Sequence, residues 1–366
     1  MSERINTRTP EHVVVCVDGP NADNQAAAWG ANTAFDNEYI KLAGVIVSGT
    51  AVNYAPNAPL GSRDDAVSER VQLMHTARMA GLFKRGGSDV PVFVGKNVRD
   101  TYITTPIPHN AHVNHDDYDL YGDNMGMGRK AIAGDFDDAL SHLGSLDGPL
   151  HVVVGGPFTE VPYFLQRPDI FYKLGHLAAQ AGFEISQRAI YSKLAFNHEV
   201  DEISSAYTFL NYPNNMFYVP SDITRAPAAT FQSAEELIRS NVHPEIGEIF
   251  IRHRARAEER HKEEQLRRER EGQPFRAYPA LSIHDLQAVM ALQQSLGYER
   301  DIFEFEQIDT ERAIANMVET SKMPEVIRQM GSAGVRQVAD GVIPGRYVVA
   351  AQDTARYKQQ ALQLLR

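Results

Sequence analysis

The chain has 366 residues, a net charge of −11, 43% apolar residues and 23% charged ones. This is ordinary globular composition, and its acidity excludes broad electrostatic binding of nucleic acid, which needs a basic face. The single cysteine, Cys16, excludes an internal disulfide and a multi-cysteine zinc site, and it suits a reducing compartment.

The first residues, "MSERINTRTPEH", lack the apolar core of a signal peptide. No apolar run approaches the roughly 20 residues of a membrane span, so a cytoplasmic protein with no membrane partner is expected. "HVVVCV" (12–17) is β-branched and continuously apolar, the pattern of a strand buried on both faces. "NQAAAWGANTAF" (24–35) predicts a helix, "LAGVIVSG" (42–49) a second strand, 64–83 an amphipathic helix and "VPVFVG" (90–95) a third strand. Residues 96–135, rich in His, Asp, Asn, Tyr and Gly, read as a lid loop. A helix is expected over 136–144 and a strand ending in glycine over 149–157. The spacing predicts a further helix over 168–182 capped by Gly182, and a strand over 215–224. Residues 245–271 form a charge-dense helical insertion, either a solvated face or a partner contact. The alternation predicts one α/β domain over 1–366, with a mainly parallel central sheet and flanking helices. Asp18, Gly49, Gly155 and Asp222 each follow a predicted strand and should crowd one sheet edge, where such sheets bind ligands.

The chemistry concentrates in three aspartates. Asp18 and Asp23 lie at the end of the first strand, and Asp285 lies at the start of a helix in "LSIHDLQAVMAL" (281–292). Oxygen-rich sites suit a hard cation such as calcium or magnesium, and a backbone carbonyl after "GGPFT" would add a ligand. A cation so held orients a water whose proton an aspartate can take. Aspartates after strands serve equally as caps and turn residues, so the pattern alone leaves both readings open.

A resemblance extends the first of them. "VDGPNAD" resembles the "DPGIDD" opening of the inosine–uridine type nucleoside hydrolases. "LAGVIVSGT", "DVPVFVG", "HVVVGGPFTEV", "FYVPSDITR", "SIHDLQAV" and "YVVAAQDTARYKQQALQLL" are similar, in order, to later segments of that family. The resemblance implies a calcium-dependent hydrolase of an N-glycosidic bond in a nucleoside-like small molecule, acting as a homo-oligomer. It implies calcium ligation by Asp18, Asp23, Asp285 and the Thr159 carbonyl, with Asp18 also deprotonating the attacking water. It gives His284 the protonation of the leaving base and Asn197, in "AFNHEVD", a ribose hydroxyl.

The departures bear on substrate. Ala22 stands where the family has an aspartate contacting ribose, Cys16 where it has another aspartate, and Ala195 where a glutamate holds the 5′-hydroxyl. The Gly-Asn after the second strand is Gly49-Thr50, and "RAIYSK" (188–193) replaces an "MGG" segment. Three alternatives follow. The substrate is a modified nucleoside or nucleotide, its phosphate met by Arg188, Lys193 or Arg225; or Asn21, Asn24 and lid residues such as His109, His112 and His115 rebuild the ribose contacts; or the site is a degenerate binding or scaffolding version of the fold. Tyr118 and Tyr121 of the lid are placed to stack on a base, and Trp29 and Met74 are expected in the core.

Overall fold

β1 (Glu11–Val17) runs through the middle of a nine-stranded sheet. Val13, Val15 and Val17 enter the core on one face, and Val14 and Cys16 enter the core on the other. A strand covered on both faces has no solvent side, so the run needs no polar alternation. The computed structural model describes residues 9–18, 22–49, 65–97, 125–181, 197–198, 201–224, 231, 239–252, 266, 269–271, 283–299, 301–321, 324–330 and 344–366.

On one side of β1 lie β2 (Ile40–Gly49), β3 (Val92–Asn97) and β4 (Ile132–Gly134). On the other lie β5 (Leu150–Val154), β6 (Leu174–Ala179) and β7 (Met216–Tyr218), followed by β9 (Arg346–Gln352) and, at the edge, β8 (Phe303–Gln307). All neighbouring pairs are parallel except β8 with β9. The expected mainly parallel α/β sheet is therefore the fold.

The core on one face is completed by α1 (Ala22–Ala34), α2 (Asp65–Arg85), α9 (Leu286–Ser295) and α11 (Thr354–Leu364). The opposite face is covered by α4 (Phe136–Ser145), α5 (Val161–Gln166), α6 (Pro168–Phe171), α7 (Glu202–Asn211) and α10 (Thr310–Thr320). α3 (Met125–Ala131) and α8 (Ser221–Thr224) are shorter helices. Trp29 and Met74 are buried, as expected.

Several elements differ from the sequence reading. The helix expected over 168–182 is only α6; the chain then turns and enters β6. Leu174–Ala179 is alanine-rich and reads as helical, but it pairs between β5 and β7, and its small residues suit that crowded position. At Gly175 a Cβ would stand 2.4 Å from the His151 ring, so glycine lets β6 pass β5 there. The strand expected over 215–224 ends at Tyr218, because Pro220 has no N–H to continue a ladder and α8 follows. Of the lid expected over 96–135, residues 96–97 finish β3 and 125–134 form α3 and β4; residues 98–124 lie outside the described residues. Asp135 then caps α4, accepting from the Asp137 and Asp138 N–H groups while Asp138 accepts from the Asp135 N–H. Within 245–271 the stretch through 252 is helical, and 253–265 lies outside the described residues. No helix among the described residues is long and apolar enough to cross a membrane.

Candidate active site

The chain order of the strands reverses between β1 and β5: β2, β3 and β4 lead one way, β6 and β7 the other. In parallel sheets the crevice beyond the carboxyl ends at such a reversal is the general ligand position. Asp18 is the first residue past β1 and Gly155 the first past β5, and the Gly155 N–H donates to the Cys16 carbonyl at 2.8 Å.

Two glycines let the carboxylates approach. A Cβ on Gly155 would lie 3.0 Å from Asp285 Cβ, and one on Gly156 would lie 2.7 Å from Asp18 Cβ and 2.8 Å from the Asp18 nitrogen. The "GG" after β5 thus makes room for Asp18 on one side and Asp285 on the other.

Asp23 and Asp285 arrive on helix starts. Asp23 sits in the first turn of α1, and Asp285 directly precedes α9. These helices pack closely at Gly30, where a Cβ would meet Leu286 Cδ1 at 2.3 Å. The approach lets Asp23 Oδ1 accept the Asp285 N–H at 3.0 Å across 262 positions of sequence. Asn24, fully buried, donates from Nδ2 to Asp18 Oδ1 at 2.8 Å.

The carboxylates feel one another. Burial, then the charges of Asp23 and Asp18, hold Asp285 well above the usual carboxylate range. Asp23 is likewise raised, by burial first and by Asp18, against the N–H groups of Asp285 and His284 that favour its ionised form.

Thr159 follows the same strand end. Its hydroxyl donates to Asp201 Oδ2 at 3.0 Å, and Asp201 also caps α7 by accepting the Ser204 N–H. Its carbonyl oxygen accepts no hydrogen bond among the described residues. The reason is in the sequence: three residues on, Pro162 has no N–H, and the Tyr163 N–H goes to Glu160. A buried carbonyl without a partner is costly unless something else binds it.

Three carboxylates, a spare carbonyl and no nitrogen or sulfur donor match what a hard cation binds. Among the described residues no three His, Cys, Asp or Glu side chains already stand at the spacing of a metal cage. Asp18 is instead engaged by Asn24, and Asp23 by the Asp285 backbone.

His284 adjoins this cluster. Its Nδ1 is 2.7 Å from Thr224 Oγ1, while the Thr224 hydroxyl donates to the Ser221 carbonyl at 3.1 Å. A hydroxyl has one proton, so while Thr224 gives it to the Ser221 carbonyl it accepts from Nδ1–H of His284. Asn197 is nearly buried and donates to the Gly155 carbonyl at 2.9 Å, joining the cluster from the β6 side. Ala22 is packed in the core. Asn21, Arg188, Lys193, Ala195, Arg225 and the lid histidines and tyrosines lie outside the described residues.

Three nearby residues escape the sequence reading. Gln180 bonds Asn197, Pro162 bares the Thr159 carbonyl, and Glu160 fastens strand ends together. Glu160 accepts from Ser48 Oγ at 2.8 Å and the Lys96 N–H at 2.9 Å, and burial pushes its carboxyl up to about 8. An expected burial signal would not mark a glutamate in "FTEVP", so only the fold identifies it.

No family model and no curated protein matches the sequence. Solved structures do match the fold. The type III effector protein XopQ complexed with adenosine diphosphate ribose is similar with a TM-score of 0.59 and 12% identity, covering 98% of this chain and 94% of that one. An inosine–guanosine nucleoside hydrolase matches with a TM-score of 0.58 and 12% identity over 97% of this chain and 99% of its own. The inosine–uridine preferring nucleoside hydrolase from Bacillus anthracis gives 0.56 and 11% over 97% and 99%. At these identities the likeness shows that the chain has the nucleoside hydrolase fold.

Proposed function

We propose that this chain, built on the nucleoside hydrolase fold, hydrolyses the N-glycosidic bond of a nucleoside-like small molecule and depends on calcium. The observation that carries the reading is the meeting of Asp18, Asp23 and Asp285 at the strand-order reversal of that fold. Asp18, Asp23, Asp285 and the Thr159 carbonyl would hold the cation, which when bound orients and acidifies a water.

The remaining work falls to the chain. Asp18, oriented by Asn24, takes the proton of the attacking water. His284 donates a proton to the departing base from Nε2, which requires the doubly protonated ring because Nδ1–H is already committed to Thr224. Asn197 and the Gly155 backbone hold the sugar side of the site together. A cytoplasmic homo-oligomer accompanies this reading, on the family resemblance.

A 5′-substituted nucleoside or nucleotide is the second reading of the substrate. It is favoured by the altered ribose contacts at Ala22 and Ala195 and by the likeness to an effector complexed with adenosine diphosphate ribose. The test is release of free base from ribo- and deoxyribonucleosides and their 5′-phosphates, with calcium and with chelator. Chelator-sensitive release is expected. Silence across the panel from a protein that binds no calcium would leave a binding or scaffolding protein instead.

A further inference from the structure

Asn24 is out of character with its helix. α1 buries Ala22, Ala26, Ala27, Ala28 and Ala31, and among these alanines stands a fully buried amide. Asparagine is a poorer helix former than alanine, and burying its amide is costly unless the amide is hydrogen-bonded. The bond it makes is to the candidate site: Nδ2 donates to Asp18 Oδ1 at 2.8 Å. An ionised carboxylate only accepts, so the amide nitrogen, and not its oxygen, must face Asp18. With no exposed surface, the side chain is committed to Asp18 and does not stand open to a ligand.

The carboxylate needs such a hold. The last torsion of an aspartate is broad, so the backbone alone leaves the plane of its two oxygens undetermined. Asn24 acts from a rigid base. α1 packs on α9 at Gly30, where a Cβ would meet Leu286 Cδ1 at 2.3 Å, and the preceding residue, Asp23, accepts the Asp285 N–H at 3.0 Å. Consecutive residues of one helix therefore reach two segments of the site, Asp23 the start of α9 and Asn24 the end of β1.

We propose that Asn24 is a positioning residue for Asp18: its Nδ2 fixes the plane of the Asp18 carboxylate, and so aims it at the cation and the attacking water. This rests on the N-glycosidase reading above, and it gives Asn24 a role other than contact with the ribose. Placement of this kind matters because about 1 Å of error between reacting groups can cost about 100-fold in rate.

The test is a double-mutant cycle in the full chain: parent, Asn24→Ala, Asp18→Asn and the two together. It is read twice, by calcium calorimetry and by single-turnover release of base from the nucleoside or 5′-phosphate that the parent cleaves fastest. Asn24→Ala should lower the rate by at least about 10-fold and calcium affinity by about 3-fold or more, the scale of one charge-assisted hydrogen bond. With Asp18→Asn already present, the same substitution should change calcium affinity by less than about 2-fold, because a residue acting only through Asp18 has nothing left to act on. Alanine suits α1, so the variant should fold; should it not, Asn24→Ser, whose hydroxyl is too short to reach Asp18, is read in its place and should show the same losses. A merely structural role would lower both backgrounds equally and would overturn the proposal, as would a parental rate and isotherm in Asn24→Ala. Either result leaves the hydrolase reading standing if the parent releases base in a calcium-dependent way. If the parent neither binds calcium nor releases base, both fall.

Discussion

Asp18 is held between two small decisions of the sequence: Asn24, which donates to its carboxylate, and Gly156, which leaves space beside its backbone. Asp18→Asn should lower base release by at least about 100-fold, the lower range for loss of a general base, read as single-turnover rate at saturating calcium. Gly156→Ala should be as damaging for a different reason. Its Cβ would fall 2.8 Å from the Asp18 nitrogen, a backbone atom that cannot swing aside, and overpacking of this kind costs about 1–3 kcal/mol. The expected result is a lowered melting temperature together with weaker calcium binding; an unperturbed calcium isotherm would show that Asp18 is not placed by this contact. The acidic residues themselves were legible in "VDGPNAD" and "SIHDL". Gln180 was not, since a lone polar residue after an alanine-rich run carries no local signal, and its meaning depends on Asn197 17 residues further on.

Among the elements, α5 illustrates how a helix start shapes a site. Pro162 suits the first turn of a helix, where N–H groups have no intrahelical partner, and the same missing donor leaves the Thr159 carbonyl open. Pro162→Ala restores a competing N–H. One net hydrogen bond of about 1 kcal/mol predicts roughly 5-fold weaker calcium affinity, measured by calorimetry, with the fold retained. Unchanged affinity would remove Thr159 from the ligand set. β6 shows the limit of reading elements one at a time. "LGHLAA" has helical composition, and only its neighbours on both sides make it a strand. β8, α7 and α10 were likewise not anticipated, although Ala313, Ile314 and Met317 share one buried face of α10, because the faces they bury are set by partners distant in sequence.

The whole molecule adds a pH dependence that no single element shows. His75 is buried in the body of the protein, and burial, with the Arg78 charge beside it, lowers its pKa to about 3. Between that value and 6.5 the unfolded chain binds a proton that the folded chain refuses, so stability falls as pH drops through this window and is unaffected above it. Glu160, raised to about 8, acts in the opposite sense, losing stability as pH rises from 4.5 towards 8. Comparison with a variant isolates one contribution. Relative to His75→Leu, the parent should lose about 1.4 kcal/mol of unfolding free energy per pH unit below 6.5, by denaturant titration from pH 7.5 to 5. A constant difference between the two would mean that His75 is hydrated or charged in the folded state.

The sequence by itself determined that β1 is buried on both faces, that strands and helices alternate into a mainly parallel sheet, and that carboxylates follow the strand ends. Those properties are local, written in apolar runs and the residues that stop them. Only the tertiary structure decided that strand order reverses beside Asp18, that α1 and α9 pack closely enough at Gly30 for Asp23 to bond the Asp285 backbone, and that Gln180 meets Asn197. These depend on contacts between segments separated by up to 262 positions, and such distances are fixed by the packing of the sheet and not by any residue's neighbours in the chain.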